Sequence, residues 1–391
     1  MFKIIKGGKL FSPDPQGNKD ILIAGGLIAN IAPNISPFPE YGDVEVIDVT
    51  GLYIVPGLID QHIHLIGGGG EAGFSSRTPE ITLSRIIMGG ITTVVGCLGT
   101  DGTTRHMTSL LAKARALEEE GITAFIYTGS YEIPVKTITG SIRNDIILIK
   151  EVLGAGEIAI SDHRSSQPTK EEIKKLAAEA RLGGMLSGKA GVLHLHVGDG
   201  KTGLRFLFEI VEEKEIPIRQ FTPTHINRNP DLLEEGIRFA KLGGFIDMTS
   251  SINSGTGPSK AIKASRAIRY CLDQDVPIEN ITMSSDGNGS LPAFDEKGNL
   301  IGLKMAEPLS LYRELKNLII EEGIPLQDAI KTVTLNPARS LKLYPKKGTI
   351  KVGSDADILV LDEKLDIVYL FAKGKTLIKE GKLIVKGTFE E

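Results

Sequence analysis

Imidazole and carboxylate side chains recur where short apolar runs of this sequence end. Five of the seven histidines and one aspartate have this placement: His62, His64, His194, His196, His225 and Asp286. In a strand, residues i and i+2 point to the same side, so each His-x-His pair presents two imidazoles to one face. These are the ligands that zinc and similar divalent ions prefer. The set therefore predicts a metal site.

In the second His-x-His pair, only one of the two histidines is expected to be a metal ligand. His194 and His196 face the same way in 192-VLHLHV-197, so spacing alone does not separate them. The residue nearer the end of the strand reaches the mouth of a site, which favours His196 as the ligand. His194 then lies one layer deeper, where a hydrogen-bonded core histidine is the alternative.

The middle of the chain has the elements needed to bring these strand ends together. Near-continuous apolar runs predict parallel strands covered on both faces, at 58–64, 91–97, 122–128, 158–162, 192–197, 216–225, 245–249 and 281–286. Segments with a helical apolar period lie between them, among them 106–121, 169–184 and 305–323. Eight such units predict a TIM-like (β/α)8 barrel, whose active sites lie at the carboxyl ends of the strands. A doubly wound open sheet is the rival, although no G-x-G-x-x-G follows the first strand.

The two ends of the chain have a different texture from the middle. Residues 1–57 and the stretch from about Gly348 consist of short strand-like runs separated by Gly and Asp breaks. We expect them to meet as a small β-sandwich domain of residues 1–57 and 345–391, with the barrel spanning 58–344.

Composition excludes several classes of protein. The net charge is −4 without a basic patch, which argues against nucleic acid as a partner. No run of apolar residues resembles a signal peptide or a membrane span. Cys97 and Cys271 are too few for a disulfide framework, and their wide spacing is not that of a Cys-based zinc site. We therefore expect a soluble, cytoplasmic protein.

Several stretches carry a resemblance to a known family. They are 56-PGLIDQHIHLIGGGGEAG-73, 127-YTGSYEIP-134, 160-ISDHRS-165, 223-PTHINRN-229, 284-SSDGNGS-290 and 353-GSDADILVLD-362. The chain resembles the amidohydrolase superfamily and, more narrowly, its isoaspartyl dipeptidases, which hydrolyse β-aspartyl dipeptides. The order HxH, H, H, D on strands one, five, six and eight carries the broader resemblance. GGGGEAG, SDHRS and HINRN carry the narrower one.

The resemblance implies two divalent ions, zinc by default, with a bridging hydroxide that attacks the amide. His62, His64 and Asp286 would hold one ion, and His196 and His225 the other. Asp286 would also take the proton from the water and pass it to the leaving amine, as general base and then general acid.

The sequence departs from the family at the ligand between the ions. Where members usually have a carboxylated lysine at the end of strand four, this chain has Glu157 in 154-GAGEIAISDHR-164. Both groups carry one negative charge, but glutamate is shorter by about 3–4 Å, from bonds of roughly 1.5 Å. Some members use a direct carboxylate bridge, so we expect Glu157 to complete a two-metal site. The alternative is a solvated glutamate at the entrance to a strand.

The resemblance also implies a pocket for a substrate that carries both charges. Glu71 would bind the α-ammonium of the β-linked aspartate, while Arg164 and Arg228 would hold carboxylates. Tyr131 would hydrogen-bond the carbonyl oxygen. The predicted substrate-binding residues are Gly69, Glu71, Thr100, Arg164, Arg228 and Ser290. A plain flexible loop is the alternative interpretation of GGGGEAG.

Three functions fit this pattern to different degrees. A metallo-dipeptidase with a small β-aspartyl dipeptide as substrate uses all the predicted residues. A cyclic amide hydrolase of the dihydroorotase or hydantoinase kind has the same metals but gives Glu71 and the two arginines no ready role. A non-catalytic scaffold would be expected to lose ligand histidines, and this chain keeps them. The resemblance further implies a homo-oligomer, such as an octamer.

Overall fold

The computed structural model describes residues 2–37, 43–252, 260–294 and 300–391. Within these ranges the chain contains a curled parallel sheet with helices between its strands and a separate β-sheet region. The strands are β1 Phe2–Phe11, β2 Pro15–Ala24, β3 Leu27–Ala32, β4 Val44–Asp48, β5 Tyr53–Pro56, β6 Leu58–Ile63, β7 Ile91–Gly96, β8 Thr123–Thr128, β9 Val152–Ile160, β10 Val192–Val197, β11 Phe221–Thr224, β12 Ile246–Thr249, β13 Ile281–Ser284, β14 Ser290–Phe294, β15 Leu300–Met305, β16 Ile358–Leu361, β17 Ile367–Ala372, β18 Lys375–Lys379 and β19 Lys382–Leu383. The α-helices are α1 Leu83–Ile87, α2 Met107–Glu120, α3 Ile142–Leu148, α4 Lys170–Ser187, α5 Arg205–Glu212, α6 Pro230–Lys241, α7 Ala264–Asp273, α8 Leu309–Ile320, α9 Leu326–Ala329 and α10 Leu335–Ser340.

The eight strands of the middle region all pair in parallel. Six of them form one sheet in the order β11-β10-β9-β8-β7-β6, and β12 pairs with β13. The segment after β13 returns to the first of these strands, since the Asp286 amide donates to the His62 carbonyl (3.1 Å) and the His64 amide to the Gly287 carbonyl (2.9 Å). The carboxyl ends of β6 and β13 therefore lie side by side.

Two predicted strands have boundaries that differ from those in the structure. Strand β9 begins at Val152 rather than Ile158, through a buried, glycine-rich stretch that lacks the β-branched pattern. Strand β11 begins only at Phe221, because Pro217 precedes a 3-10 turn over Ile218–Gln220. The other six strands begin and end within about two residues of the predicted positions.

The strands at the two chain ends join in one nine-stranded sheet. Its order is β19-β18-β17-β16-β5-β1-β2-β3, with β4 paired to β1. Residues of both ends, such as Ile5, Ile54, Ile358 and Phe371, pack into a core of their own. The separate β region is thus confirmed, while the boundaries at residues 57 and 345 stay a prediction.

Helix α4 shows how local signals fix an element. Thr169 accepts a hydrogen bond from the Glu172 amide, and the Glu172 side chain returns to the Thr169 amide, which closes a capping box. The helix ends at Gly188 in the left-handed conformation. No helix in the described ranges combines the length and the apolar composition needed to cross a membrane.

Candidate metal centre and active site

The predicted ligands meet at the carboxyl ends of the parallel strands. His62 and His196 lie in β6 and β10. His64 and His225 directly follow β6 and β11, and Asp286 lies two residues after the end of β13. The last two have positive φ angles, 63° and 53°, a conformation that costs free energy in residues other than glycine. The turn after each strand therefore aims a side chain at the site instead of continuing the strand.

Glu157 lies in the middle of the imidazoles. Its Oε2 is 3.4 Å from His62 Nε2, 3.3 Å from His196 Nδ1 and 3.7 Å from His225 Nε2. Its Oε1 is 3.7 Å from His64 Nε2. At 1% exposure it is not a solvated residue at a strand entrance. One carboxylate therefore faces both predicted sets of ligands, despite its shorter reach.

Burial alone raises the pKa of Glu157, but the facing imidazoles of His62, His196 and His225 lower it well below its usual range. The carboxylate is therefore ionised. In the described part of the chain its Oε2 and the buried His62 Nε2 form no hydrogen bond. Buried polar atoms without partners are costly, and a divalent ion would satisfy both. The donor set thus fits a divalent metal.

Asp286 faces the first pair of histidines. Its Oδ1 is 3.0 Å from His64 Nε2 and 3.5 Å from His62 Nε2. Burial raises its pKa, but the hydrogen bond with His64 and the nearby imidazoles of His62 and His225 outweigh burial and lower the pKa below its usual range. Burial also lowers the pKa of His225 to about 3, and its Nδ1 lies 2.7 Å from the Thr249 hydroxyl. A neutral imidazole and an ionised carboxylate are the forms that bind metal.

His194 lies below the ligands and contacts one of them. Its Nε2 is 2.8 Å from His62 Nδ1, and its ring stacks on Tyr127 with centroids 4.7 Å apart. The deeper position is the one expected for the inner member of 194-HLH-196. Because the other nitrogen of His62 faces Glu157, the contact with His194 holds the orientation of the His62 ring.

A chain of hydrogen bonds joins His196 to the mouth of the site. Asp162 Oδ2 accepts from His196 Nε2 (2.9 Å) and from Arg164 Nη2 (2.8 Å). Arg164 Nη1 donates to Glu71 Oε1 (3.2 Å), which also accepts from Thr100 Oγ1 (2.7 Å). The exposed Glu71 thus lies beside a guanidinium that Asp162 links to one of the predicted metal ligands.

Tyr131 covers His196 from the side of the mouth. Its hydroxyl is 2.7 Å from His196 Nδ1, and the Arg164 guanidinium lies 5.5 Å from its ring centroid. Burial and the nearby Glu157 raise the pKa of Tyr131 well above its ordinary value. The phenol therefore keeps its proton and can donate a hydrogen bond to an oxygen at the site.

The glycine run passes so close to the site that side chains are excluded. A Cβ on Gly68 would lie 3.2 Å from the His64 ring, and one on Gly69 would lie 2.6 Å from Ser290 Cβ. Gly69 also has a φ of +70°. The buried Arg105 donates to carbonyls of this loop, including that of Gly68 (2.9 Å). The loop is therefore anchored by a buried guanidinium and by close packing against the site.

Arg228 approaches the centre from β11. Its side chain is largely buried, and its Nη1 is 3.7 Å from Asp199 Oδ2. Among the described residues no hydrogen-bond acceptor faces its Nε. A buried guanidinium nitrogen without a partner is available to an anionic ligand.

Two residues of the site were missed from the sequence. Cys97 groups with His62, His64 and Glu157, with one potential ligand atom from each within 4.8 Å of the others. Asp162 connects His196 to Arg164. Cys97 directly follows β7, and Asp162 lies two residues after β9. Position at the end of a strand was the signal used for the histidines, and it would have found Cys97 and Asp162 as well.

Comparison with known proteins agrees with this geometry. The sequence matches the amidohydrolase family over residues 53–220 and 227–384. The chain belongs to the amidohydrolase family. Its members are metal-dependent hydrolytic enzymes, and the clustered His, Glu and Cys ligand candidates agree with metal dependence.

Solved structures and curated relatives place the chain within the family. The chain is similar to the β-aspartyl dipeptidase of Fervidobacterium islandicum AW-1, solved with a β-Asp-Leu dipeptide, at 46% identity over 98% of both chains and a TM-score of 0.89. This confirms the narrower resemblance. A curated dihydroorotase of Pelotomaculum thermopropionicum is 25% identical, over 97% of this chain and 94% of that protein. A D-hydantoinase structure at 19% identity and a TM-score of 0.69 shares the fold.

Proposed function

We propose that this enzyme hydrolyses β-aspartyl dipeptides at a centre of two divalent ions. The observation that carries the proposal is the acidic and basic pair at the mouth, where Glu71 and Arg164 lie next to the predicted metal ligands. A β-aspartyl dipeptide carries an ammonium and two carboxylates. The similarity to a β-aspartyl dipeptidase supports the same substrate.

The chain offers two sets of metal ligands that share one carboxylate. His62, His64 and Asp286 would hold one ion and His196 and His225 the other, with Glu157 between them. Bound divalent ions polarise the scissile carbonyl and lower the pKa of a water molecule. Zinc suits these nitrogen and oxygen ligands.

Asp286 is the group placed to move the proton. Its ionised carboxylate accepts a proton from the attacking water as the new C–O bond forms. When the C–N bond breaks, the same carboxyl group returns that proton to the leaving amine. The Tyr131 hydroxyl donates to the carbonyl oxygen as negative charge develops there, in the manner of an oxyanion hole.

The remaining polar residues fit the two ends of the substrate. Glu71, held by Thr100, would take up the α-ammonium. Arg164 and Arg228 would each hold a carboxylate, and the close packing of Gly69 against Ser290 would form the wall beside the aspartyl moiety. A neutral cyclic amide would make no charged contacts with these residues and would gain no binding free energy from them.

The test compares two isomers that differ only in the linkage. Zinc-loaded enzyme is assayed with β-Asp-Leu, with α-Asp-Leu and with dihydroorotate as the cyclic amide. We expect cleavage of β-Asp-Leu and a much lower kcat/KM for the other two. Cleavage of dihydroorotate alone would replace the proposal by the cyclic amide hydrolase, to which the curated relatives at 23–26% identity also point. Absence of turnover by zinc-loaded enzyme with all three would overturn it.

Other expectations from the sequence belong to the same proposal. We infer that β6–β13 close into a complete barrel, that the chain divides at residues 57 and 345, and that the enzyme is a cytoplasmic homo-oligomer such as an octamer. Light scattering on the purified protein measures the assembly, and metal analysis of the same sample measures the ion and its stoichiometry.

A further inference from the structure

The side chain of Cys97 ends at the first set of metal ligands. Strand β7 lies next to β6, and the Cys97 amide donates to the Ile63 carbonyl (3.0 Å). This pairing places the fully buried Sγ 3.8 Å from His64 Nδ1. Sγ also lies within 4.8 Å of potential ligand atoms of His62 and Glu157.

The surroundings of Cys97 distinguish it from a cysteine that only packs. The Oε2 atom of Glu157 and the Nε2 atom of His62 are buried, and across the described ranges these two atoms have no hydrogen bond. Cys271 provides the contrast, since both cysteines are fully buried and pack against apolar side chains, but of the two only Cys97 groups with potential metal ligands in the described ranges. A cation at the first site would therefore meet the thiol of Cys97.

The shorter bridging residue makes an additional anionic donor useful. Glu157 has to face His62 and His64 with one side and His196 and His225 with the other, at 3.3–3.7 Å from their nitrogens. Two divalent ions would bring four positive charges, of which Glu157, Asp286 and a bridging hydroxide would neutralise three. A thiolate would neutralise the fourth from within the ring of ligands.

We propose that Cys97 is a thiolate ligand of the metal held by His62 and His64. Its sulfur makes the ligand set of this site softer than histidine nitrogens and carboxylate oxygens alone would make it. The inference rests on the proposed metal centre. When the ion binds, the Cys97 S–H loses its proton to solvent and the sulfur lone pair forms the bond to the metal. Thiolate ligands favour zinc over manganese, which prefers oxygen ligands.

Cobalt(II) is the probe because thiolate ligation gives it a charge-transfer absorption band in the near ultraviolet. Metal-free wild-type protein, Cys97→Ser and the matched control Cys271→Ser are titrated with Co²⁺. We expect the band in the wild type and in Cys271→Ser, and its loss in Cys97→Ser while the visible d–d bands persist. Cys97→Ala, which also lacks the sulfur, should behave as Cys97→Ser does.

A competition experiment gives a second readout that does not depend on activity. We expect Cys97→Ser to lower the affinity for Zn²⁺ relative to that for Mn²⁺ by about tenfold or more, and Cys271→Ser to leave the ratio unchanged. Co²⁺ d–d bands without a charge-transfer band in the wild type would overturn the thiolate ligand alone. Absence of any Co²⁺ binding by the wild type would overturn the metal centre as well. If Cys97→Ser does not fold, the presence or absence of the band in the wild type and in Cys271→Ser still decides.

Discussion

Asp162 connects a predicted metal ligand to a predicted substrate-binding residue, so its replacement should affect both kinds of binding. Its two oxygens accept four hydrogen bonds: Oδ2 from His196 Nε2 and Arg164 Nη2, and Oδ1 from Arg164 Nε and the Arg164 amide, at 2.8–3.0 Å. The substitution Asp162→Asn keeps the shape of the side chain. It replaces one acceptor oxygen by an NH2 group that only donates.

The expected magnitude follows from those contacts. In either orientation the asparagine loses two of the four hydrogen bonds and the negative charge. Hydrogen bonds to charged groups contribute about 1.5–3 kcal/mol each. Arg164 is partly exposed, so solvent screening reduces the contribution of its bonds to Asp162. A total loss of about 2 kcal/mol corresponds to a roughly 30-fold decrease in affinity. This agrees with the roughly 10–100-fold typical of residues that orient metal ligands.

The assay separates the two effects. Zn²⁺ affinity is measured by competition with a chromophoric chelator, and KM for β-Asp-Leu is measured at saturating Zn²⁺. We expect Asp162→Asn to weaken Zn²⁺ binding through His196 and to raise KM through Arg164. The matched control is Asp20→Asn, since Asp20 is a buried carboxylate that accepts from the Gly7 and Ile35 amides in the nine-stranded sheet. It should lower stability without changing either quantity.

Two results would refute this reasoning. If folded Asp162→Asn binds Zn²⁺ with wild-type affinity, then the hydrogen bond to His196 does not orient the ligand. A decrease in thermal stability equal to that of Asp20→Asn, with unchanged KM, would make Asp162 a purely structural residue.

Three further predictions concern residues around the site. His194→Ala should lower Zn²⁺ affinity about 10–100-fold, because His62 loses the partner of its Nδ1 atom; unchanged affinity in the chelator assay would contradict this. Arg105→Met should lower the free energy of unfolding by about 2–4 kcal/mol and raise KM, because the carbonyls of the glycine loop lose their buried donor; urea unfolding and steady-state kinetics measure the two effects. Burial raises the pKa of Asp60 from 3.8 to about 6, despite hydrogen bonds from Ser285. The folded protein therefore holds this proton more tightly than the unfolded chain does, and the stability from neutral Asp60 is present below pH 4 and lost as pH rises through 6. The difference in unfolding free energy between wild type and Asp60→Asn should change between pH 4 and 6 and stay constant above pH 7.

Much of the centre could be predicted because strand ends are visible in a sequence. His62, His64, His225 and Asp286 each end an apolar run, and parallel strands bring such ends to one edge. Glu157 was harder, because the stretch before it, 152-VLGAG-156, has small residues in place of the β-branched ones that mark a strand. The position of Glu157 within β9 depends on pairing with β8 and β10.

Cys97 and Asp162 show why the remainder could not be predicted. Cysteine spacing along the chain carries information only when the ligands come from one local motif. Here the partners of Cys97 come from β6 and β9, and the sulfur reaches them only because β7 lies next to β6. Asp162 likewise gains its role from the approach of β9 to β10, which brings the carboxylate to His196.

The sequence by itself determined the alternation of strands and helices, the separate texture of the chain ends and the types of ligand available. These depend on hydrophobic periodicity and residue chemistry, which are local properties. Only the tertiary structure decided that one carboxylate faces four imidazoles, that His194 contacts His62, and that a thiol lies beside the first set of predicted ligands. Those relations depend on strand register and on the return of β13 to β6, which bring together side chains as distant in the chain as His64 and Asp286, 222 positions apart.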